Sequence, residues 1–270
     1  MQSRLLEDQV ALVTGAGRGL GRAFAERLAS LGCHIAVHGM REHGPSEFGG
    51  AATLTDVAKA IADKHGVRTV KILADLTVMN DIERTVRTAE AELGPLNILV
   101  HNAGGDIAAA GGKPDPNDAV NIKADDVRAV IDRNLLSTIF VCQEAARGMM
   151  ERRRGRIVTI GSVAASKGRT NASIYATAKA GALHFTRCLA DQMRAYGITV
   201  NCIAPGDTRT ERFVATRAID PERLATEGTL DRIATVDEVA RVVEFLAGPM
   251  GDFVSGQVIR VDGGGQTWPA

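Results

Sequence analysis

The sequence predicts a doubly wound α/β fold: a single domain with a seven-stranded parallel sheet and helices on both faces. Three observations predict it. Short β-rich apolar runs alternate with longer segments in which apolar residues recur three and four apart. Most of the short runs lack strict polar alternation, as strands covered on both faces do. Each helical segment ends in Gly, the residue that ends a helix at least cost.

In chain order, "VALVTG" (10–15) is the first strand and "GRAFAERLASLG" (21–32) the first helix. "HIAVHG" (34–39) and "LTDVAKAIADKHG" (54–66) follow, then "VKILAD" (70–75) and "DIERTVRTAEAELG" (81–94). The fourth strand, "NILVHNAG" (97–104), leads to one long helix over 125–155 that closes on "ERRRGR", where cations suit the helix dipole at a solvated end. "RIVTIGS" (156–162), the helix at 175–197, "ITVNCIAPG" (198–206), the helix at 235–248 and "QVIRVDGG" (257–264) complete the alternation. Two stretches break the rhythm, 105–124 and 206–232, and both follow carboxyl ends of strands, the edge where open α/β sheets bind ligands.

A chain of 270 residues with 45% apolar and 24% charged residues is ordinary for a soluble globular domain. Its 32 basic and 32 acidic side chains cancel, which gives no electrostatic ground for nucleic acid or an anionic membrane as partner. Cys33, Cys142, Cys188 and Cys202 have apolar neighbours and no CxxC spacing, so they are expected as core residues of a reducing compartment. With no long apolar segment, neither export nor membrane spanning is supported, and a cytoplasmic location is expected. No histidine stands in a recognisable ligand spacing, so no metal is expected.

"TGAGRGLG" places Gly15, Gly19 and Gly21 where the first strand turns into a helix. Glycines there let a pyrophosphate approach the helix N-terminus, although a tight turn with nothing bound has the same signature. The spacing is GxxxGxG. Together with "NAG" at 102–104, Ser162 thirteen residues before Tyr175, "YATAK" at 175–179 and "APG" at 204–206, it resembles the short-chain dehydrogenase/reductases, over about residues 7–265. The resemblance covers 3-oxoacyl-carrier reductases and sugar or alcohol dehydrogenases, and implies a Rossmann-like sheet.

Tyr175 and Lys179 lie one helical turn apart in a chain with only two tyrosines. A phenol with an ordinary pKa of about 10 becomes a useful acid or base when an ammonium nearby favours phenolate. Ser162 would hydrogen-bond the substrate oxygen as charge develops there, or cap the following turn. The resemblance assigns Ser162, Tyr175 and Lys179 as catalytic, gives Lys179 a second contact with the nicotinamide ribose, and adds Asn134 as the holder of a relay water. It implies hydride transfer between a nicotinamide and a carbonyl or secondary alcohol.

Preference between nicotinamides is decided at the end of the second strand, where an acid favours NAD. Gly39 stands there, with Arg41 close by and Arg18 in the glycine turn, which favours NADP(H). NAD(H) stays open because Glu42 could turn inward. By resemblance, the cofactor contacts are Gly15, Arg18, Gly19, Leu20, Gly21, Gly39, Arg41, Asp75, Leu76, Asn102, Ala103, Gly104, Tyr175, Lys179, Pro205, Gly206, Thr208 and Thr210. Asp75 could instead start the next helix, and His101 stands where the family commonly has a second Asn.

Residues 206–232 are expected as a substrate lid. Among its arginines Arg209 is the open candidate for an anionic substrate group, the rest reading as a mixed-charge solvated surface. The 105–124 loop is longer than in typical 3-oxoacyl-carrier reductases, which leaves sugars, polyols and cyclic ketones. The resemblance also implies a homotetramer. Two other classes compete: a non-catalytic dinucleotide sensor, which has no need of a tuned phenol, and a dehydratase or epimerase, which usually carries a longer substrate domain.

Overall fold

A computed structural model describes residues 4–225 and 227–268 of the chain; Thr226, inside the expected lid, lies outside the described residues. Strands β1 (Val10–Val13), β2 (His34–Gly39), β3 (Thr69–Leu73), β4 (Leu96–His101), β5 (Gly155–Ile160), β6 (Ile198–Pro205) and β7 (Val258–Val261) form one sheet. Its order is β3, β2, β1, β4, β5, β6, β7, and every pairing is parallel. The order reverses between β1 and β4, which opens a crevice at their carboxyl ends.

Eight α-helices flank it among the described residues: α1 (Gly19–Ser30), α2 (Leu54–His65), α3 (Met79–Leu93), α4 (Ala124–Ile131), α5 (Ser137–Arg152), α6 (Ser173–Met193), α7 (Glu211–Ala215) and α8 (Val236–Ala247). Strand alternation sorts the two cores. Ala11, Val13, Ile35, Val37 and Val100 face Phe24 and Leu28 of α1, Val57 and Ile61 of α2, and Val239 and Val243 of α8. Val10, Leu12, Ala36 and Leu99 turn the other way, onto Ile82 of α3, Val141 and Met149 of α5, and Leu189 of α6. Each fully buried Val, Leu, Ile, Phe or Met among them contributes about 1.5–3 kcal/mol, which is why two covered faces outweigh weak strand patterning.

Capping matches the sequence signals in α2 and α8. Thr53 accepts from the Asp56 N–H, Gly66 ends α2 in the left-handed region at φ 64°, and Thr235 with Glu238 closes a capping box on α8. The strand runs end earlier than their apolar stretches, so Gly15, Asn102–Gly104 and Ser162 all fall in loops at the carboxyl edge.

Three expectations are corrected. The long helix over 125–155 is broken: residues 132–136 form a π turn between α4 and α5. The cause is Asn134, whose side-chain amide donates to the Val130 carbonyl at 2.8 Å, the acceptor its own backbone N–H would use in an α-helix. The helix then stops at Arg153, itself left-handed at φ 52°, before the expected Gly155, which opens β5. The basic run over 151–154 is exposed, as expected of a solvated helix end, while Arg152 also donates to the Leu96 carbonyl at 2.9 Å and pairs with Glu90 at 3.1 Å. Finally, Cys188 is exposed while the other three cysteines are buried, because it falls on the outer face of α6. No helix among the described residues is long and apolar enough to cross a membrane.

The first turn of α1 is pressed onto the loop that precedes it. A Cβ on Gly21 would meet the Gly15 carbonyl oxygen at 2.1 Å and Asn102 Nδ2 at 2.6 Å. Gly21→Ala is expected to destabilise the protein by about 1–3 kcal/mol in urea denaturation, since backbone must move to admit the methyl group.

Candidate active site

β1 and β4 are laced together at their carboxyl ends by Thr14. Its hydroxyl oxygen accepts from the backbone N–H groups of Asn102 and Ala103, each at 2.9 Å, and lies 3.2 Å from His101 Nδ1. Asn102 returns the contact, donating from Nδ2 to the Thr14 and Gly15 carbonyls at 3.1 and 3.3 Å. Gly15 and Gly19 both take left-handed φ values, 64° and 53°, which bend the chain into α1. Below the turn, His38 accepts from the Gly15 N–H at 3.2 Å, which leaves its Nε2 to donate to the Ala74 carbonyl at 3.1 Å. Burial pushes His38 down to about 4, so it is neutral near pH 7.

Above this turn lies a cleft of about 650 Å³. Of the residues expected to contact a cofactor, Gly15, Arg18, Gly19, Leu20, Arg41, Asp75, Leu76, Asn102, Ala103, Gly104 and Thr210 line it. Gly21 and Gly39 face packing contacts behind it, Gly39 against Leu54 of α2. Thr208 is buried, its hydroxyl donating to the Gly206 carbonyl at 3.1 Å. Gly206 faces a second, polar cleft with Asp262 and Gln266, and Pro205 ends β6. Asp75 serves as a turn residue as well as cleft wall: its carboxylate accepts from the Thr77 N–H at 3.0 Å and hydroxyl at 2.8 Å.

Carboxylates of the chain itself occupy the cationic points of this cleft. Gly19, at the start of α1, donates its N–H to Glu211 of α7 at 3.1 Å. Arg18 donates to Glu47 at 2.7 Å, and Arg41 pairs with the same carboxylate. Glu42, the acid at the end of β2 left open by the sequence, is turned away. It accepts from the backbone N–H and hydroxyl of Thr55 at 3.1 and 2.6 Å and from Lys71 at 2.9 Å. The contacts with Lys71 and Thr55 hold its carboxyl down at about 2.

At the end of β5, Ser162 accepts from the Ala164 N–H at 3.1 Å, capping a 3-10 turn, and also shares a hydrogen bond with Tyr175. Lys179 is 4% exposed; its Nζ donates to the Ile160 carbonyl at 2.7 Å and lies 5.8 Å from the centre of the Tyr175 ring. The expectation of a lowered phenol is corrected. Burial pushes Tyr175 above its ordinary value, outweighing the Ser162 hydrogen bond, and Lys179 is directed at Ile160 rather than at the phenol. Burial likewise brings Lys179 down to about 8. Asn134 is fully buried, accepting from the Gly105 N–H at 2.8 Å and donating to the Gly105 carbonyl at 2.9 Å, so it fixes the loop after β4.

In the 206–232 segment, Arg209 is a staple, donating to the Leu224 carbonyl at 2.8 Å. Arg212, rather than Arg209, pulls on the Tyr175 phenol electrostatically, together with Arg169, and donates to the Asp106 carbonyl at 3.4 Å. Sequence reading missed Thr14, His38, Glu47 and the special placement of Glu211 and Arg212. Only Thr14 carried a local signal, as a hydroxyl immediately before the glycine turn. Among the described residues no group of three His, Cys, Asp or Glu could hold a metal ion.

A parallel sheet whose glycine turn opens a cleft, with a Ser–Tyr–Lys cluster two strands away, defines the class of Rossmann-type oxidoreductases acting on alcohol and carbonyl groups. The chain belongs to the short-chain dehydrogenase family, whose model, described as short chain dehydrogenase, matches residues 9–220. It is 37% identical over 264 residues, 96% of each chain, to cyclohexanol dehydrogenase of Rhodococcus sp. (strain TK6). To 3-oxoacyl-[acyl-carrier-protein] reductase of Escherichia coli (strain K12) it is 34% identical over 261 residues, 96% of this chain and 97% of that one. A solved 7α-hydroxysteroid dehydrogenase, complexed with NADH and 7-oxo glycochenodeoxycholic acid, is similar with a TM-score of 0.81 at 28% identity, covering 97% of this chain and 96% of that one.

Burial of Lys179 makes a pH-dependent contribution to stability. With its folded value near 8 and its free value at 10.5, the unfolded chain binds more protons between the two. The penalty for burying the ammonium is therefore full below pH 8 and relieved as pH rises toward 10.5. Urea denaturation of the parent and Lys179→Met is expected to show stability rising more steeply with pH in the parent across that window.

Proposed function

We propose that the protein transfers a hydride between NADP(H) and a carbonyl or secondary alcohol, with Tyr175 exchanging the proton. The observation that carries this reading is the buried Lys179 beside a half-buried Tyr175 that shares a hydrogen bond with Ser162. The cleft fits a dinucleotide on two counts. Any side chain at Gly15 would crowd Asn102 Nδ2 at 3.0 Å, so the floor must stay bare, and the α1 N-terminus already binds a carboxylate oxygen at 3.1 Å. A bound nicotinamide supplies or accepts the hydride.

The chain's own residues do the rest. Ser162 orients and polarises the substrate oxygen. A phenol raised above about 10 keeps its proton through the neutral range, as the donor in carbonyl reduction must. Lys179 would hold the nicotinamide ribose and pass on the proton relayed from Tyr175, while Asn134 fixes the neighbouring loop after β4. The 206–232 segment closes over the substrate.

NADP(H) is favoured by Arg18 and Arg41 in the cleft, by Gly39 where an acid would repel a phosphate, and by the diversion of Glu42. A second reading, NAD(H), is favoured by Glu47, which engages both arginines with one carboxylate, and by the NADH in the solved relative. Cyclic ketones and polyols are the proposed substrates, in keeping with the similarity to cyclohexanol dehydrogenase. A homotetramer is proposed from the family pattern.

Tyr175→Phe is expected to lower turnover by about 10²–10⁴-fold while NADPH still binds, read by nicotinamide absorbance and fluorescence. Undiminished turnover rejects the role, and a ketone and alcohol panel that includes cyclohexanone, run with both cofactors, tests the substrate class. Glu211→Gln is expected to tighten NADPH and NADH equally, because the pyrophosphate that competes with Glu211 is common to both.

A further inference from the structure

We infer that Glu47 sets the discrimination between NADPH and NADH by acting as an internal anion on the two cations that a ribose 2′-phosphate would need, an inference that rests on the dinucleotide reading above. Glu47 lies in the 3-10 turn Gly44–Phe48, between β2 and α2. Both of its oxygens are engaged: Oε2 accepts from Arg18 Nη1 at 2.7 Å, and Oε1 pairs with Arg41 Nη2.

Arg18 is fixed further by donating to the Gly44 carbonyl at 2.7 Å and by stacking on Phe48, with its guanidinium carbon 4.7 Å from the ring centre. It is therefore held in place with a carboxylate already on its guanidinium. Arg18, Arg41, Glu47 and Phe48 all line the cleft. The Arg18 and Glu47 side chains are only 28% and 31% exposed, so water screens that pair incompletely; Arg41, at 65%, contributes less.

Burial alone would raise the Glu47 carboxyl. The Arg18 hydrogen bond and the charges of Arg18, Arg41 and Arg212 outweigh burial and hold it below the ordinary range, so it remains an anion at neutral pH. A 2′-phosphate has to break both carboxylate contacts and then sit beside the displaced negative charge. A 2′-hydroxyl breaks neither. Glu47 thus weakens NADPH and leaves NADH alone, in contrast to Glu211, which opposes the group the two cofactors share.

Calorimetric titration of NADPH and NADH into the parent, Glu47→Gln, the Arg18→Ala/Arg41→Ala pair and the triple variant tests this. Gln keeps the shape of the turn, and unchanged NADH affinity reports an intact cleft. Glu47→Gln is expected to tighten NADPH by about fivefold with NADH unmoved, and to do nothing in the arginine-free background. If the arginine pair loses NADPH selectively but Glu47→Gln shifts both cofactors equally or neither, the role of Glu47 is rejected and the NADP(H) reading stands. Selective weakening of NADH by Glu47→Gln makes Glu47 a ribose-hydroxyl acceptor and overturns the inference. Equal loss of both cofactors in the arginine pair removes the 2′-phosphate reading, and the inference with it.

Discussion

The structure depends on the burial of one ammonium. Lys179 is taken out of water at the carboxyl edge of β5, where the last carbonyl of the strand, that of Ile160, is left without a ladder partner and accepts its proton at 2.7 Å. An isolated buried cation is costly, so α6 is held in one rotation against β5. That rotation places Tyr175 one turn earlier on the same face, within a hydrogen bond of Ser162. The geometry of the cluster is therefore a consequence of desolvation, and so is its acid–base state. Burial raises the phenol and lowers the amine together, keeping both neutral forms within reach of working pH.

The other half of the cleft follows the converse rule. A helix N-terminus and a pair of guanidinium groups that face a cavity attract anions, and here carboxylates of the chain itself meet them. Glu211 crosses from α7 to Gly19, and Glu47 bridges Arg18 and Arg41. Because α7 belongs to the proposed lid, the same contact that satisfies the helix terminus also brings the lid across the cleft.

The sheet and its order of elements were legible in the sequence because strands and helices alternate with clear periods and Gly stops. The π turn was not, because it arises from a side-chain bond between Asn134 and Val130 that periodicity cannot register. Ser162, Tyr175, Lys179 and most of the cleft floor were legible as motifs. Glu47, Glu211 and Arg212 were not. Their neighbours in sequence are a mixed-charge surface, and their meaning comes from contacts that span 29, 192 and 106 residues. The separate placements of Arg209 and Arg212 were illegible for the same reason: Arg209, ahead of α7, donates to the Leu224 carbonyl, while Arg212, on α7, acts on the phenol.

The central claim is that burial, with the lysine committed to Ile160, governs the phenol until a dinucleotide completes the site. Absorbance titration of phenolate in a Tyr196→Phe variant, which leaves Tyr175 as the only tyrosine, measures this directly. Ionisation above the ordinary value of about 10 in the free protein, falling when NADP⁺ places its cationic ring nearby, is the predicted result. Ionisation at or below that value in the free protein, unmoved by NADP⁺, would contradict it.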